Sequence, residues 1–203
     1  EICSGCIHAV EKRDGVGLCP FCRTPAPTTN EEAAEQYKKR AGMKDARAIY
    51  GLGCDYSHGQ YGLPQDYGKA LKLWHRAAEL GHAAAYYGIG CIYVNGYGVK
   101  RDEMKGNYYY ELAAMRGHVA SRHNLGAREG RAGNMERALK HYMIAIRGGD
   151  KFSLEMIKMM FTNGDATKED YAKALQSYQS YLDEIKSPQR DEAAAFGDGY
   201  KYY

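Results

Sequence analysis

Four cysteines near the amino terminus, Cys3, Cys6, Cys19 and Cys22, form two C-x-x-C pairs with twelve residues between them (19 − 6 − 1). Thiolates at that spacing are ligands of structural zinc, which takes four donors in a tetrahedron. Two readings of the pairs stay open. Either all four close one site by themselves, or each pair is half of a larger one. His8 lies between the pairs and reads as a solvent-facing residue. The other two cysteines, Cys54 and Cys91, recur at one phase of a repeated pattern. Stacked helical units lie about 10 Å apart, beyond the roughly 7 Å between Cα atoms that a disulfide tolerates. They read as reduced, partly buried thiols, which points to the cytoplasm or nucleus.

Little else in the chain has the spacing of catalysis. His82 and His118 each follow a glycine that closes a helix, so they belong to turns. His118 and His123 are five apart and do not share a helix face. There is no Ser-x-x-Lys, no G-x-S-x-G and no Walker-type loop. The stretches Gly59–Gly62 and Gly96–Gly98 read as connecting loops. The net charge of +3, from 28 basic and 25 acidic residues, is spread too evenly for a nucleic-acid face. No apolar run approaches the roughly 20 residues needed to span a bilayer. What remains is recognition of a protein or peptide.

The elements that would position such a site are written in a repeat. Tyr50-Gly51-Leu52-Gly53-Cys54 returns as Tyr87-Gly88-Ile89-Gly90-Cys91, then as His123-Asn124-Leu125-Gly126. The glycine spacings are 37 and 36 (90 − 53 and 126 − 90). Such a period marks a solenoid of stacked units. Within each unit, apolar and small residues fall at helical spacing in two stripes. Ala48, Leu52, Gly53 and Tyr56 make the first, and Ala70, Leu73, Trp74, Ala77 and Ala78 the second. Asp66 is placed to cap the second helix and Gly81 to end it. Glycine inside a helix costs about 1 kcal/mol against alanine, so its return at one phase requires a packing reason. A close crossing of the two helices, with Ala70, Gly106, Ala138 and Ala174 opposite, supplies one. Repeat four has Lys158 in place of the glycine and is expected to pack more loosely, as a terminal unit does. The abundance of tyrosine (19, against 4 Phe and 1 Trp) reads as packing with a polar tip.

This pattern of A-x-x-x-L-G-x-x-Y, a glycine-bearing loop, D-x-x-K-A, an aromatic, A-A and a closing glycine resembles the Sel1-like repeat family, a relative of the tetratricopeptide repeats. The resemblance implies an all-α fold, an α-solenoid of four repeats at 45–81, 82–117, 118–149 and 150–184. A capping helix at 30–43 precedes them, and a helix and tail at 185–203 follow. It implies a scaffold or adaptor with no catalytic residues. Its tetratricopeptide relatives imply a groove lined by the first helix of each pair. That groove would include Tyr50, Ser57, His58, Tyr87, Val94, Asn95, His123 and Arg131, and would take an extended peptide with some acidic character.

The first 24 residues, joined by a Pro-containing linker at 25–29, resemble the second half of a RING-type zinc finger through Cys3-Ser4-Gly5-Cys6 and Cys19-Pro20-Phe21-Cys22-Arg23. The resemblance implies zinc, a ubiquitin-conjugating enzyme met by Pro20 and Arg23, and a substrate-recruiting role for the repeats in a ubiquitin ligase. A RING needs two further ligand pairs upstream. The chain opens on Glu1, two residues before Cys3, so the expectation is a piece of a longer protein.

Overall fold

The computed structural model describes residues 44–186 continuously, preceded by Thr29, Glu32, Glu35, Lys38, Lys39, Ala41 and Gly42. The cysteine-rich segment with Cys3, Cys6, Cys19, Cys22, Pro20 and Arg23, and the tail from 187, lie outside the described residues.

Asp45 starts the first helix by accepting the amides of Arg47 and Ala48. Asp66, Asp102 and Asp150 do the same for later helices, and Thr167 with Asp170 forms a capping box. Carboxylates suit these positions because they satisfy orphan amides and oppose the helix dipole. The result is four helix pairs: α1 (Ala46–His58) with α2 (Tyr67–Glu79), α3 (Ala83–Asn95) with α4 (Glu103–Met115), α5 (Val119–Arg131) with α6 (Met135–Arg147), and α7 (Lys151–Asn163) with α8 (Lys168–Ile185). Among the described residues the structure is entirely helical, and each helix packs on its neighbours in sequence. The chain is a solenoid.

Three identical turns set the step from one pair to the next. Gly81, Gly117 and Gly149 each adopt a positive φ, between 81° and 88°. The amide three residues past each helix end then reaches back: His82 to the Ala77 carbonyl, His118 to Ala113 and Asp150 to Ala145, at 3.0, 3.0 and 3.2 Å. This Schellman-type closure favours glycine because a Cβ is strained there.

Inside each pair the recurrent helical glycine admits an aromatic ring. An alanine Cβ at Gly53 would lie 2.6 Å from Trp74 Cδ1, at Gly90 2.6 Å from Tyr110 Cδ1, and at Gly126 2.8 Å from Tyr142 Cε1. The close backbone crossing expected from the sequence is found in the second pair, where a Cβ on Gly106 would sit 2.9 Å from the Gly90 carbonyl oxygen. In the first and third pairs the nearest atoms belong to the ring. Trp74, Tyr110 and Tyr142 are accordingly buried. In the fourth pair, Lys158 replaces the glycine, Tyr178 is only half-buried, and α7 packs more sparsely on α8. Before the first pair, the described positions from Glu32 to Gly42 are helical, and Ala41 is buried against the α1–α2 core, its carbonyl accepting Arg76 Nη2 at 3.0 Å.

Gly126→Ala is expected to destabilise the protein by roughly 1–3 kcal/mol in chemical denaturation, the cost of overpacking a filled core. Gly130→Ala, whose Cβ would meet nothing closer than Ala138 Cβ at 3.8 Å, is expected to be neutral or to stabilise by up to about 1 kcal/mol. Equal effects at both positions would remove the glycine-to-ring account.

Candidate functional site

Helix α3 presents Tyr87, Cys91, Val94 and Asn95 on one face, and α5 presents Asn124, Ala127, Arg128 and Arg131 on the face opposite. The first set is spaced i, i+4, i+7, i+8 and the second i, i+3, i+4, i+7, each the spacing of a single helix surface. The start of α4 closes the end with Glu103, Asn107 and Tyr110, and Arg101 of the preceding loop joins them. Together they enclose a cleft of about 380 Å³. The small side chain of Ala127 helps keep it open.

Cation charge dominates the cleft. Arg101 pairs with Glu103. Among the described residues, Arg128 and Arg131 face no carboxylate within ion-pair distance. They occupy the last turn of α5, where the helix dipole favours cations. The hydroxyls on the floor remain protonated. Burial, with the Cys91 thiol beside it, pushes Tyr87 up to about 12. Burial also raises Tyr110, whose hydroxyl donates to Cys91 Sγ at 3.4 Å. The Asn124 amide partly offsets the rise at both tyrosines, and Asn95 Nδ2 donates to the Cys91 carbonyl at 2.9 Å. The cleft offers amides, phenols and two unpaired guanidinium groups, with no activated nucleophile.

Of the residues singled out from sequence, Tyr87, Val94, Asn95 and Arg131 come together here. Tyr50 lies one repeat earlier, half-buried, its ring 6.2 Å from Trp74 and 4.6 Å from His82. Ser57 is buried and donates to the Cys54 carbonyl at 2.8 Å, while His58 beside it is exposed at the end of α1. His123 is occupied within the protein: Nδ1 lies 3.0 Å from Asp150 Oδ2 and 3.0 Å from Ser153 Oγ. Asn124 and Arg128, two residues before and after the repeat glycine, are not among the groove residues expected from the sequence, which lie three before it or four and five after it.

Tyr50, Tyr87 and His123 share a second property. Each sits three residues before the repeat glycine and touches the first residue of the following repeat: His82, His118 and Asp150 respectively. Two tyrosine–histidine contacts at 4.6 Å are thus followed by a histidine–carboxylate contact. The Ser153–His123–Asp150 group has the composition of a hydrolytic triad but not its geometry. Both partners use the same ring nitrogen, and Ser153 is fully buried. It is a joint between repeats. Burial works to raise the Asp150 carboxyl, but hydrogen bonds from His123 and from the Ser153 side chain and amide outweigh it and hold it below the ordinary range.

A carboxylate with a depressed folded pKa stabilises above its unfolded pKa and loses that contribution as pH falls through the folded value. Asp150→Asn is therefore expected to lower stability at neutral pH, with the gap to the parent closing as pH falls below about 4. Denaturant melts across pH would show this, and a gap independent of pH would contradict it.

Among the described residues, no group of three or more His, Cys, Asp or Glu is arranged to hold a metal, and no helix is long and apolar enough to cross a membrane. Cys54 and Cys91 are free thiols. The Sel1 repeat pattern matches residues 46–82, 83–118, 119–150 and 159–179, the last match beginning just after Lys158. No curated protein matches the chain. Among solved structures, a Sel1 repeat protein from Oxalobacter formigenes is 28% identical, with a TM-score of 0.66 over 76% of this chain and 64% of that one. The protective antigen c5321 of uropathogenic Escherichia coli, described as displaying an SLR fold, is 21% identical, with a TM-score of 0.64 over 80% of this chain and 35% of that one. The immunity protein Pa5087 from Pseudomonas aeruginosa is 23% identical, with a TM-score of 0.55 over 87% and 64%. The latter two likenesses concern the fold alone. The chain spans less than two thirds of the length of each of these proteins.

Proposed function

This chain belongs to the Sel1 repeat family, and from that premise we propose that it is a protein-interaction scaffold whose α3–α5 cleft holds an extended, acidic segment of a partner protein. The observation that carries the reading is the pair Arg128 and Arg131, unpaired by any carboxylate among the described residues and set beside Asn95, Asn107 and Asn124. Asparagine side chains offer both a donor and an acceptor, which suits the backbone of a peptide lacking its own partners. Guanidinium groups select carboxylates and hold them by charge-assisted hydrogen bonds. The lining supplies binding groups and no group poised for bond breaking.

Arg128→Glu and Arg131→Glu, made singly, are each expected to weaken binding of a glutamate-rich extended peptide by at least about tenfold, since a hydrogen bond to a charged group contributes ~1.5–3 kcal/mol. Affinity should also fall with added salt. Unchanged affinity in both variants, with helicity intact by circular dichroism, would falsify the cleft as the binding site.

A second reading rests on the donor set Cys3, Cys6, Cys19 and Cys22. Four thiolates fit one tetrahedral zinc ion. With ligand pairs from sequence before Glu1, they would instead complete a RING-type finger. In that case Pro20 and Arg23 would meet a ubiquitin-conjugating enzyme, and the solenoid would recruit the substrate of a ligase. Elemental analysis of the purified chain is expected to find about one zinc per molecule if the four cysteines suffice. A zinc-free chain with all four thiols titratable would dismiss the self-contained site.

A further inference from the structure

On the other face of α5, the seams between repeats reuse one set of positions, and the middle seam departs from its neighbours. Between the first and second repeats, Tyr86 and Tyr93 of α3 and Tyr109 of α4 pack against the core. Tyr93 and Tyr109 stack at 5.8 Å, His75 meets Tyr109 edge-on at 5.8 Å, and Lys105 Nζ sits 4.1 Å over the Tyr93 ring. The repeat offsets carry the three tyrosines to Arg122, Glu129 and His141, and Lys105 to Arg137. At the third seam the equivalents of the two α3 tyrosines are Leu154, packed on the core, and Phe161, stacked on Tyr171 at 5.6 Å. In the middle seam Arg122 and Glu129 stand where rings or an aliphatic chain fill the other two, and His141 stands where the first seam has Tyr109 and the third has Ser177.

The space the rings would fill is open. A hollow of about 440 Å³ lies between α4, α5 and α6. Leu125, 3% exposed, is part of its buried lining, while Met115 and Ile144, 75% and 45% exposed, stand at its edge. His141 Nδ1 is buried there with no hydrogen-bond partner. Burial, with the Arg122 guanidinium nearby, holds the imidazole below its ordinary pKa, so the ring is neutral at physiological pH. Arg122, Arg137 and Lys140 surround it on the cationic side, Glu111 and Glu129 on the anionic side. Glu129 is already engaged by Asn134 Nδ2 at 2.7 Å.

We propose that this hollow is a docking site for a tyrosine side chain of a partner protein, flanked in that partner by acidic residues. The incoming ring would restore what the neighbouring seam contains. Arg137 would lie against its π face as Lys105 lies over Tyr93, an attraction between a cation and the ring quadrupole. The phenol hydroxyl would meet His141 Nδ1, ending the isolation of a buried polar atom. Carboxylates beside the tyrosine would face Arg122 and Arg137 at the edge. This surface is separate from the Tyr87–Arg131 cleft and does not depend on it.

The test is a titration of the full ¹⁵N-labelled chain, followed by NMR, with three probes at millimolar concentration: p-cresol, acetyl-Glu-Tyr-Glu-amide and acetyl-Gly-Tyr-Gly-amide. The expected result is shifts centred on Leu125, Glu129, His141 and Ile144 with all three. The glutamate peptide should bind several-fold tighter than the glycine peptide, and that preference should vanish in high salt. Arg137→Glu should abolish the preference while p-cresol still binds. The double variant Glu129→Tyr/His141→Tyr, which rebuilds the ring stack, should lose the p-cresol response. Shifts confined to the Tyr87–Arg131 cleft, or no shifts in the hollow, would overturn the proposal. It also fails if p-cresol enters only after Tyr200, Tyr202 and Tyr203 are replaced by serine, since the occupant would then be the chain's own tail. The response should survive Arg128→Glu, so failure of the cleft and failure of the hollow are distinguishable.

Discussion

A single close approach, an aromatic ring of one helix laid over a glycine of its partner, sets the distance between the helices of three successive pairs. Trp74, Tyr110 and Tyr142 each lie where a Cβ would intrude on Gly53, Gly90 or Gly126. Glycine is a poor helix former, so each of these positions sacrifices local propensity for contact area. The exchange is favourable because a buried ring removes a large apolar surface from water and fills the space between helices at crystal-like density. Trp74 adds a polar term, its Nε1 donating to the Tyr50 carbonyl at 3.1 Å. Where the glycine is lost, at Lys158, the pair loosens, and α8 packs against α6 as well as α7. The end of the array is therefore built differently from its middle.

Between pairs a different device acts. The glycine turns hold each new helix in register, and the residue three before each repeat glycine reaches forward to the cap of the next repeat. The partners change together, tyrosine with histidine twice and then histidine with aspartate, and the contact persists. Side chains that a groove reading offers to a ligand are thereby committed partly to architecture. Tyr87 serves both ends, with one edge in the joint and the other on the cleft.

Both candidate interaction surfaces arise where the repeat stops repeating. The cleft is basic because repeat three places Arg128 and Arg131 at positions where repeat two has Ile92 and Asn95. The hollow exists because the same repeat exchanges three tyrosines for Arg122, Glu129 and His141. The shortened α5–α6 connection, residues 132–134, belongs to this unit too. In a solenoid each unit contacts only its neighbours, so such changes alter one seam without disturbing the rest.

The helix pairs, their order and the positions of the caps were legible in the sequence, because caps, closing glycines and apolar stripes are local and periodic. The residues Asp66, Gly81 and the Leu-Gly column declare their roles within one turn of helix. The reason for the helical glycines was legible only in part: the sequence demanded a close contact but did not say that a ring rather than a backbone would make it. The grouping of Tyr87, Val94, Asn95 and Arg131 in one cleft, and the diversion of His123 to Asp150, depend on which faces of helices 36 and 32 residues apart (119 − 83 and 151 − 119) are turned toward each other. Nothing local encodes that rotation. It follows from how rings and glycines interlock across the pair, and only the folded chain decides it.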